Sequence, residues 1–419
     1  MYIIAAVIFL QALITFILKG FVNNSIYYSL SLLGIFIIIM SIYILIKFNG
    51  KLFLIIYFGF LIRVIILLID IFIPSISIFG SGTDTEYFHN TSLEISKGNM
   101  PLSEGRTFYV SFLSAFYYFF GNERILAQFI NVILWVFSSY YLMKTLQLFS
   151  VSSKHMALAL SLFTFFPNLI FMTSVLLRES WIIFSLTLSL YYFILWYKEE
   201  KNKSLLLAVM FSLLAMLFHA GMIGILISYL LIVVLNQKKI DLKKLFFYLL
   251  LILSLTTILL TNENMFLSKF LTIQESGIDS VNLANEGNSA YLQSFNYLNS
   301  WLVFLLTPLK IIYFLLSPLP MDWRGIGDII SFGVDSLIYF LLIILIINGF
   351  LKSSLSKKYK IMFFILLITS VFIFAYGTGN AGTAIRHRTK LLPLFIVSWV
   401  VLSNHVSTTT KNKLNSKKM

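Results

Sequence analysis

Residues 52–74, LFLIIYFGFLIRVIILLIDIFIP, decide the fold class. Over this stretch only Arg63 and Asp70 carry charge, and no polar residue recurs with the period of a strand. A helix rises 1.5 Å per residue, so roughly 20 such residues cross the ~30 Å hydrocarbon core of a bilayer. Runs of the same kind recur at 2–18, 27–46, 125–143, 156–173, 181–197, 204–218, 222–235, 245–260, 336–350, 361–376 and 391–403. The expected fold is therefore all-α and polytopic, with about twelve transmembrane spans. Two further apolar stretches, 107–120 and 301–320, fit better as an interfacial amphipathic helix and a re-entrant segment bent near Pro308. The first run lacks a basic leader and a small-residue cleavage site, and is expected to be a retained span.

Composition supports the same class. Of 419 residues, 59% are hydrophobic and 11% are charged, where a soluble domain carries about 25%. That balance excludes a soluble enzyme, a disordered chain and a nucleic-acid-binding domain. The long unbroken apolar runs favour helices over a barrel, whose strands alternate with period two. There is no cysteine, so disulfides and thiolate metal sites are ruled out.

The net charge of +14 then reports topology. With the N-terminus in the cytoplasm and spans alternating, nineteen lysines, among them Lys198, Lys238, Lys357 and Lys418, fall on cytoplasmic segments. Only Glu199, Glu200 and Asp241 accompany them. This is the positive-inside pattern, and it places both termini in the cytoplasm. Heavy use of Ile, Phe, Leu, Lys and Asn suits an AT-rich bacterial genome, hence a bacterial plasma membrane. The chain divides accordingly into N-terminal spans (1–74), an outer loop with an acidic motif and an amphipathic helix (75–124), a transmembrane core (125–260), outer loops with the re-entrant segment (261–335), C-terminal spans (336–403) and a basic cytoplasmic tail (404–419).

Polar residues that resist this trend gather at one membrane depth. Asp84, Glu86 and Tyr87 follow the third span. Arg178 and Glu179 stand at the outer end of 156–173, His219 in a tight outer turn and Arg324 in the loop 321–335. Arg386, His387 and Arg388 precede the last span. Charges beside a membrane are costly and tend to mark function. Each also has a structural reading: solvated loop acids for Asp84 and Glu86, a local ion pair for Arg178–Glu179, a turn cap for His219, and snorkelling to headgroups for Arg386 and Arg388. Arg63, with Asp70 two turns away, reads as an internal ion pair. On the functional reading, the late basic cluster offers forked donors to a lipid-linked phosphate or diphosphate. A carboxylate such as Asp84 takes a proton from an acceptor hydroxyl. No zinc site is expected, whereas Asp84, Glu86 and Glu179 would suit Mg²⁺ or Mn²⁺.

These residues also carry a resemblance. Asp84, Tyr87, Gly98-Asn99-Met100-Pro101, the aromatic stretch Phe108–Phe120, Gly121 and Arg124 resemble the first outer loop of membrane glycosyltransferases of the C superfamily. Leu177-Arg178-Glu179, Ser317-Pro318-Leu319-Pro320-Met321-Asp322-Trp323 and Arg386-His387-Arg388 with Pro393 are similar to segments of its bacterial members. The resemblance implies a polyprenyl-phosphate-sugar donor, a glycan, lipid or protein acceptor, Asp84 or Glu86 as base or metal ligand, and Arg386 and Arg388 as phosphate ligands. Three spans precede the acidic loop, two more than the family usually has. The same features fit polymerases of capsule, exopolysaccharide or O-antigen-type repeat units, and a lipid-linked saccharide flippase is the alternative outside enzymes.

Overall fold

The computed structural model describes residues 25–73, 82–105, 107–236, 290–292 and 306–416. Among these residues the only regular structure is helical, apart from one isolated antiparallel bridge between Ala290 and Asn380. Seven helices are long and apolar enough to cross a membrane: Tyr27–Lys47, Lys51–Phe72, Arg124–Leu148, Glu179–Glu199, Ile326–Lys352, Lys357–Tyr376 and Ala381–Val406. The chain is thus a membrane protein with transmembrane helices. Large apolar side chains such as Ile38, Phe58, Ile65 and Phe364 are exposed on these helices, an arrangement that suits lipid and not water.

The expected twelve spans are not all present as single crossings. Runs 2–18 and 245–260 lie outside the described residues. Helices Asn202–Phe218 and Ile223–Asn236 have 17 and 14 residues, and the latter is about 21 Å long at 1.5 Å per residue, short of the ~30 Å core. The expected span 156–173 is broken in two. Pro167 has no N–H to donate back into the preceding turn, so the helix stops at Phe165 and restarts as Pro167–Met172. Thr173–Arg178 then runs without helix into Glu179. The expected loop 321–335 is also corrected: helix resumes at Ile326 and continues through a π-turn at Phe332–Ser336, which brings Asp335 into the interior. The last helix begins at Ala381, ten residues before the apolar run that announced it.

Chain contacts separate two compact units, residues 1–144 with 156–188, and residues 145–155 with 189–419. In the first we label α1 Ser25–Lys47, α2 Lys51–Phe72, α3 Thr83–Ser96, α4 Phe108–Phe120, α5 Arg124–Leu148, α6 Ser153–Phe165, α7 Pro167–Met172 and α8 Glu179–Glu199; α5, α6 and α8 run across the division. Gly59 of α2 lets the helices close up. A Cβ there would come within 2.2 Å of Thr164 Cγ2 and 2.9 Å of Trp135 Cη2. Small residues serve helix contacts in lipid this way, because dispersion replaces the hydrophobic drive.

One turn on, Arg63 is fully buried, and its expected pairing with Asp70 does not form. Its guanidinium donates to Thr173 Oγ1 at 2.8 Å, Gly59 O at 3.0 Å and Thr164 O at 3.1 Å, and lies 3.6 Å over the ring of Trp135. The physical reason is the break at Pro167. It leaves carbonyls at the end of α6 without intrahelical donors, at the negative end of a helix dipole. A forked cation backed by an aromatic face satisfies both needs without a carboxylate.

The second unit contains α9 Asn202–Phe218, α10 Ile223–Asn236, α11 Thr307–Leu316, α12 Ile326–Lys352, α13 Lys357–Tyr376 and α14 Ala381–Ser416. Ser189 Oγ binds Ser212 Oγ at 2.6 Å, Tyr229 Oη at 2.7 Å and Ala208 O at 2.7 Å, which ties α8, α9 and α10 through one hydroxyl. At Gly349 a Cβ would stand 2.6 Å from Leu402 Cβ, so α12 meets α14 backbone to side chain. Helix α11 has ten residues, about 15 Å, and Pro308 sits in its first turn; the preceding part of the expected re-entrant segment, 301–305, lies outside the described residues. Lys310 lies 4.8 Å over the ring of Tyr376.

Candidate functional site

The expected site residues fall into two groups, one in each unit. In the first unit, Asp84 and Glu86 occupy the first turn of α3, where negative charge meets the positive end of the helix dipole. Thr85 between them is buried while both carboxylates are exposed. Glu86 Oε1 accepts from Arg124 at 2.6 Å, and the other arm of the same guanidinium reaches Asp70 at 2.9 Å. The Asp70 side chain is 3% exposed and that of Glu86 is 52% exposed, so the cation spans from interior to surface. Tyr87 packs on Phe88 with ring centroids 5.8 Å apart, and its buried hydroxyl has no hydrogen-bond partner among the described residues.

Arg178 and Glu179 are placed by the irregular segment before α8. Asn131 donates to Val175 O at 2.7 Å and Leu177 O at 2.9 Å, and Gln128 donates to Ser174 O at 3.2 Å. Those carbonyls have no helical donor, and the two α5 amides replace it. Glu179 is fully buried at the start of α8, and Arg178 is half-buried beside it. Burial raises the Tyr109 hydroxyl well above its ordinary range, and the neighbouring Glu179 carboxylate adds to this. Tyr109 therefore keeps its proton within the cluster.

His89 joins α3 to α4 through a 2.8 Å bond between Nδ1 and the Tyr117 hydroxyl. Burial, then the Arg124 cation, holds this ring below its ordinary histidine range. The native ring thus stays neutral while an unfolded one takes a proton below about pH 6.5. Its contribution is present above that pH and is lost as pH falls through the native value. We expect the unfolding midpoint of the detergent-solubilised protein to drop from about pH 7 to pH 5, and His89→Gln to flatten part of that slope. Equal slopes in the two proteins would contradict this.

In the second unit His219 closes α9. Its Nδ1 accepts from Gly221 N at 3.1 Å, so it is a turn cap that receives an amide and not one that donates to carbonyls. Its Nε2 lies 3.0 Å from Nε2 of His387, whose Nδ1 is 3.0 Å from Thr378 Oγ1. Thr378 spends its proton on Phe374 O at 2.7 Å. The chain of bonds fixes both tautomers: His219 Nε2–H donates to His387 Nε2, and His387 Nδ1–H donates to Thr378.

Arg386 is half-buried in the second turn of α14. Arg388 is internal. Its side chain is 0% exposed and that of Asp335 is 1% exposed, and its Nε and one terminal nitrogen both meet the Asp335 carboxylate. The remaining donors reach Phe314 O at 3.2 Å and Ser336 Oγ at 3.1 Å. The expected phosphate fork of Arg388 is thus directed at a carboxylate that sequence reasoning missed. Arg324 is exposed and grips Asp328 with Nε at 2.9 Å and a terminal nitrogen at 2.8 Å. Within the second unit His219 and His387 come together, Arg388 turns inward and Arg324 pairs locally. Sequence reasoning also passed over Gln128, Asn131 and Thr378, uncharged residues inside apolar helices or turns.

Among the described residues, no three His, Asp or Glu side chains converge as metal ligands, Asp84, Glu86 and Glu179 included. No family model, curated protein or solved structure matches the chain.

Proposed function

We propose that this protein is a membrane glycosyltransferase of the C type. It moves a sugar from a polyprenyl-linked donor to a cell-envelope acceptor at the outer face of a bacterial plasma membrane. The observation that supports this best is a braced, carboxylate-bearing helix start. Glu86 is held by an arginine whose other arm is anchored on a buried carboxylate, and Asp84 is exposed in the same turn. A general base must reach its proton, and an exposed carboxylate on a braced helix does so.

The proposed step is a displacement at the anomeric carbon. Asp84 accepts the proton of the acceptor hydroxyl as its oxygen bonds to that carbon. The bond from the carbon to the phosphate oxygen breaks, and the phosphate leaves on its polyprenyl carrier. Arg178, in the same unit, is the residue proposed to meet the charge that develops on the leaving phosphate. Membranes that contain the protein should incorporate label from polyprenyl-linked sugars into envelope glycan. Incorporation no greater than in membranes lacking it would remove this reading.

A further inference from the structure

Arg124 opens α5, the position where a cation opposes the helix dipole at a cost of about 0.3–1 kcal/mol. Each nitrogen of its guanidinium is nonetheless bonded. One terminal nitrogen binds Glu86 at 2.6 Å, the other Asp70 at 2.9 Å, and Nε binds Gln128 Oε1 at 2.9 Å. Gln128 turns its amide to Asp70 at 2.9 Å and to Ser174 O at 3.2 Å. Four pieces of chain distant in sequence meet at this cation and the Gln128 amide bonded to it: the end of α2, the first turn of α3, the start of α5 and the segment that leads to Arg178 and Glu179.

We infer that Arg124 is the positioning residue of the acidic site. It sets the first turn of α3 against the segment 173–178, and by binding Glu86 it leaves the proton transfer to Asp84. This inference rests on the proposed transferase reading for its kinetic half alone. The geometry needs a fork. An ammonium is a single point of charge, so a lysine could hold Asp70 or Glu86 but not both in their present places. Asp70 works at one remove: it fixes the arginine, and the arginine fixes Glu86.

Two measurements test this on the full-length protein in nanodiscs, with Arg124→Gln, Arg124→Lys and Asp70→Asn. The first is amide hydrogen exchange, which assumes no reaction. Loss of charge-assisted bonds should raise exchange about tenfold or more in Thr83–Ser96 and Thr173–Arg178, with α13 unchanged as an internal control. Unchanged exchange in both segments would overturn the positioning role.

The second is transfer kinetics with a labelled polyprenyl-phosphate sugar. In Arg124→Gln, kcat should fall about 100-fold with the KM for the donor unchanged. Arg124→Lys should recover only part of the loss. A rise in KM with kcat intact, or full recovery by lysine, would also overturn it. If the wild-type protein transfers nothing, the transferase reading falls while the exchange data still decide the role of Arg124.

Discussion

Replacing Asp84 by Asn should reduce sugar transfer by about 10²- to 10⁴-fold, the range a positioned general base contributes. The substitution keeps shape and removes only the capacity to accept a proton. Asp84 is exposed at the first turn of α3, so the protein should remain folded, with a change in stability of about 0.5 kcal/mol or less. Glu86→Gln should behave differently. Its carboxylate is bound by Arg124, so its loss frees one arm of the cation and disturbs the helix, and the effect on rate should be the smaller of the two. Wild-type turnover in Asp84→Asn would take Asp84 out of the mechanism. Equal losses in both variants would point to a shared carboxylate function.

The second large effect concerns stability. Asp335→Asn should destabilise the protein by about 3–5 kcal/mol, because it strands the Arg388 charge where neither side chain meets solvent. The double change Asp335→Leu with Arg388→Met should recover most of that loss, since replacing a buried ion pair by apolar side chains of similar volume is often neutral. Unfolding of the solubilised protein in denaturant measures both. The alternative assignment of Arg388, as a phosphate ligand at the surface, gives the opposite pattern: little change in stability and weakened donor binding. A shift below about 1 kcal/mol in Asp335→Asn would favour it.

Helices α1, α2, α5, α8 and α13 were legible as helices because each is an unbroken apolar run of about the length a bilayer demands. The break at Pro167 was harder to read. The residues on both sides stay apolar, so hydropathy continues through a point where the backbone cannot. Asp335 was hidden for a related reason. It precedes an apolar run and looks like the end of a solvated loop, yet a π-turn carries the helix back past it and turns it toward Arg388.

Arg63 shows the limit of reasoning from spacing. Asp70 shares its helix and a similar face, but Arg63 binds the nearby Gly59 carbonyl and two oxygens about a hundred residues away, the Thr173 hydroxyl and the Thr164 carbonyl beside the helix break. Backbone acceptors carry no signature in sequence. The acidic pair was visible as first-turn carboxylates, whereas its link through Arg124 spans 38 residues to Glu86 and 54 to Asp70. What marks Arg124 in sequence, beyond its place in the outer-loop resemblance, is that a cation opens a helix, against its dipole.

The central proposal concerns a lipid-linked donor, and the fate of the carrier tests it most directly. Purified protein in nanodiscs can be incubated with lipid-linked saccharides extracted from bacterial envelopes, and free carrier followed by mass spectrometry. The expected result is time-dependent release of polyprenyl phosphate that is lost in Asp84→Asn, with release of polyprenyl diphosphate instead marking a repeat-unit polymerase. Release of neither carrier by the wild-type protein, or release that is indifferent to Asp84→Asn, would contradict it.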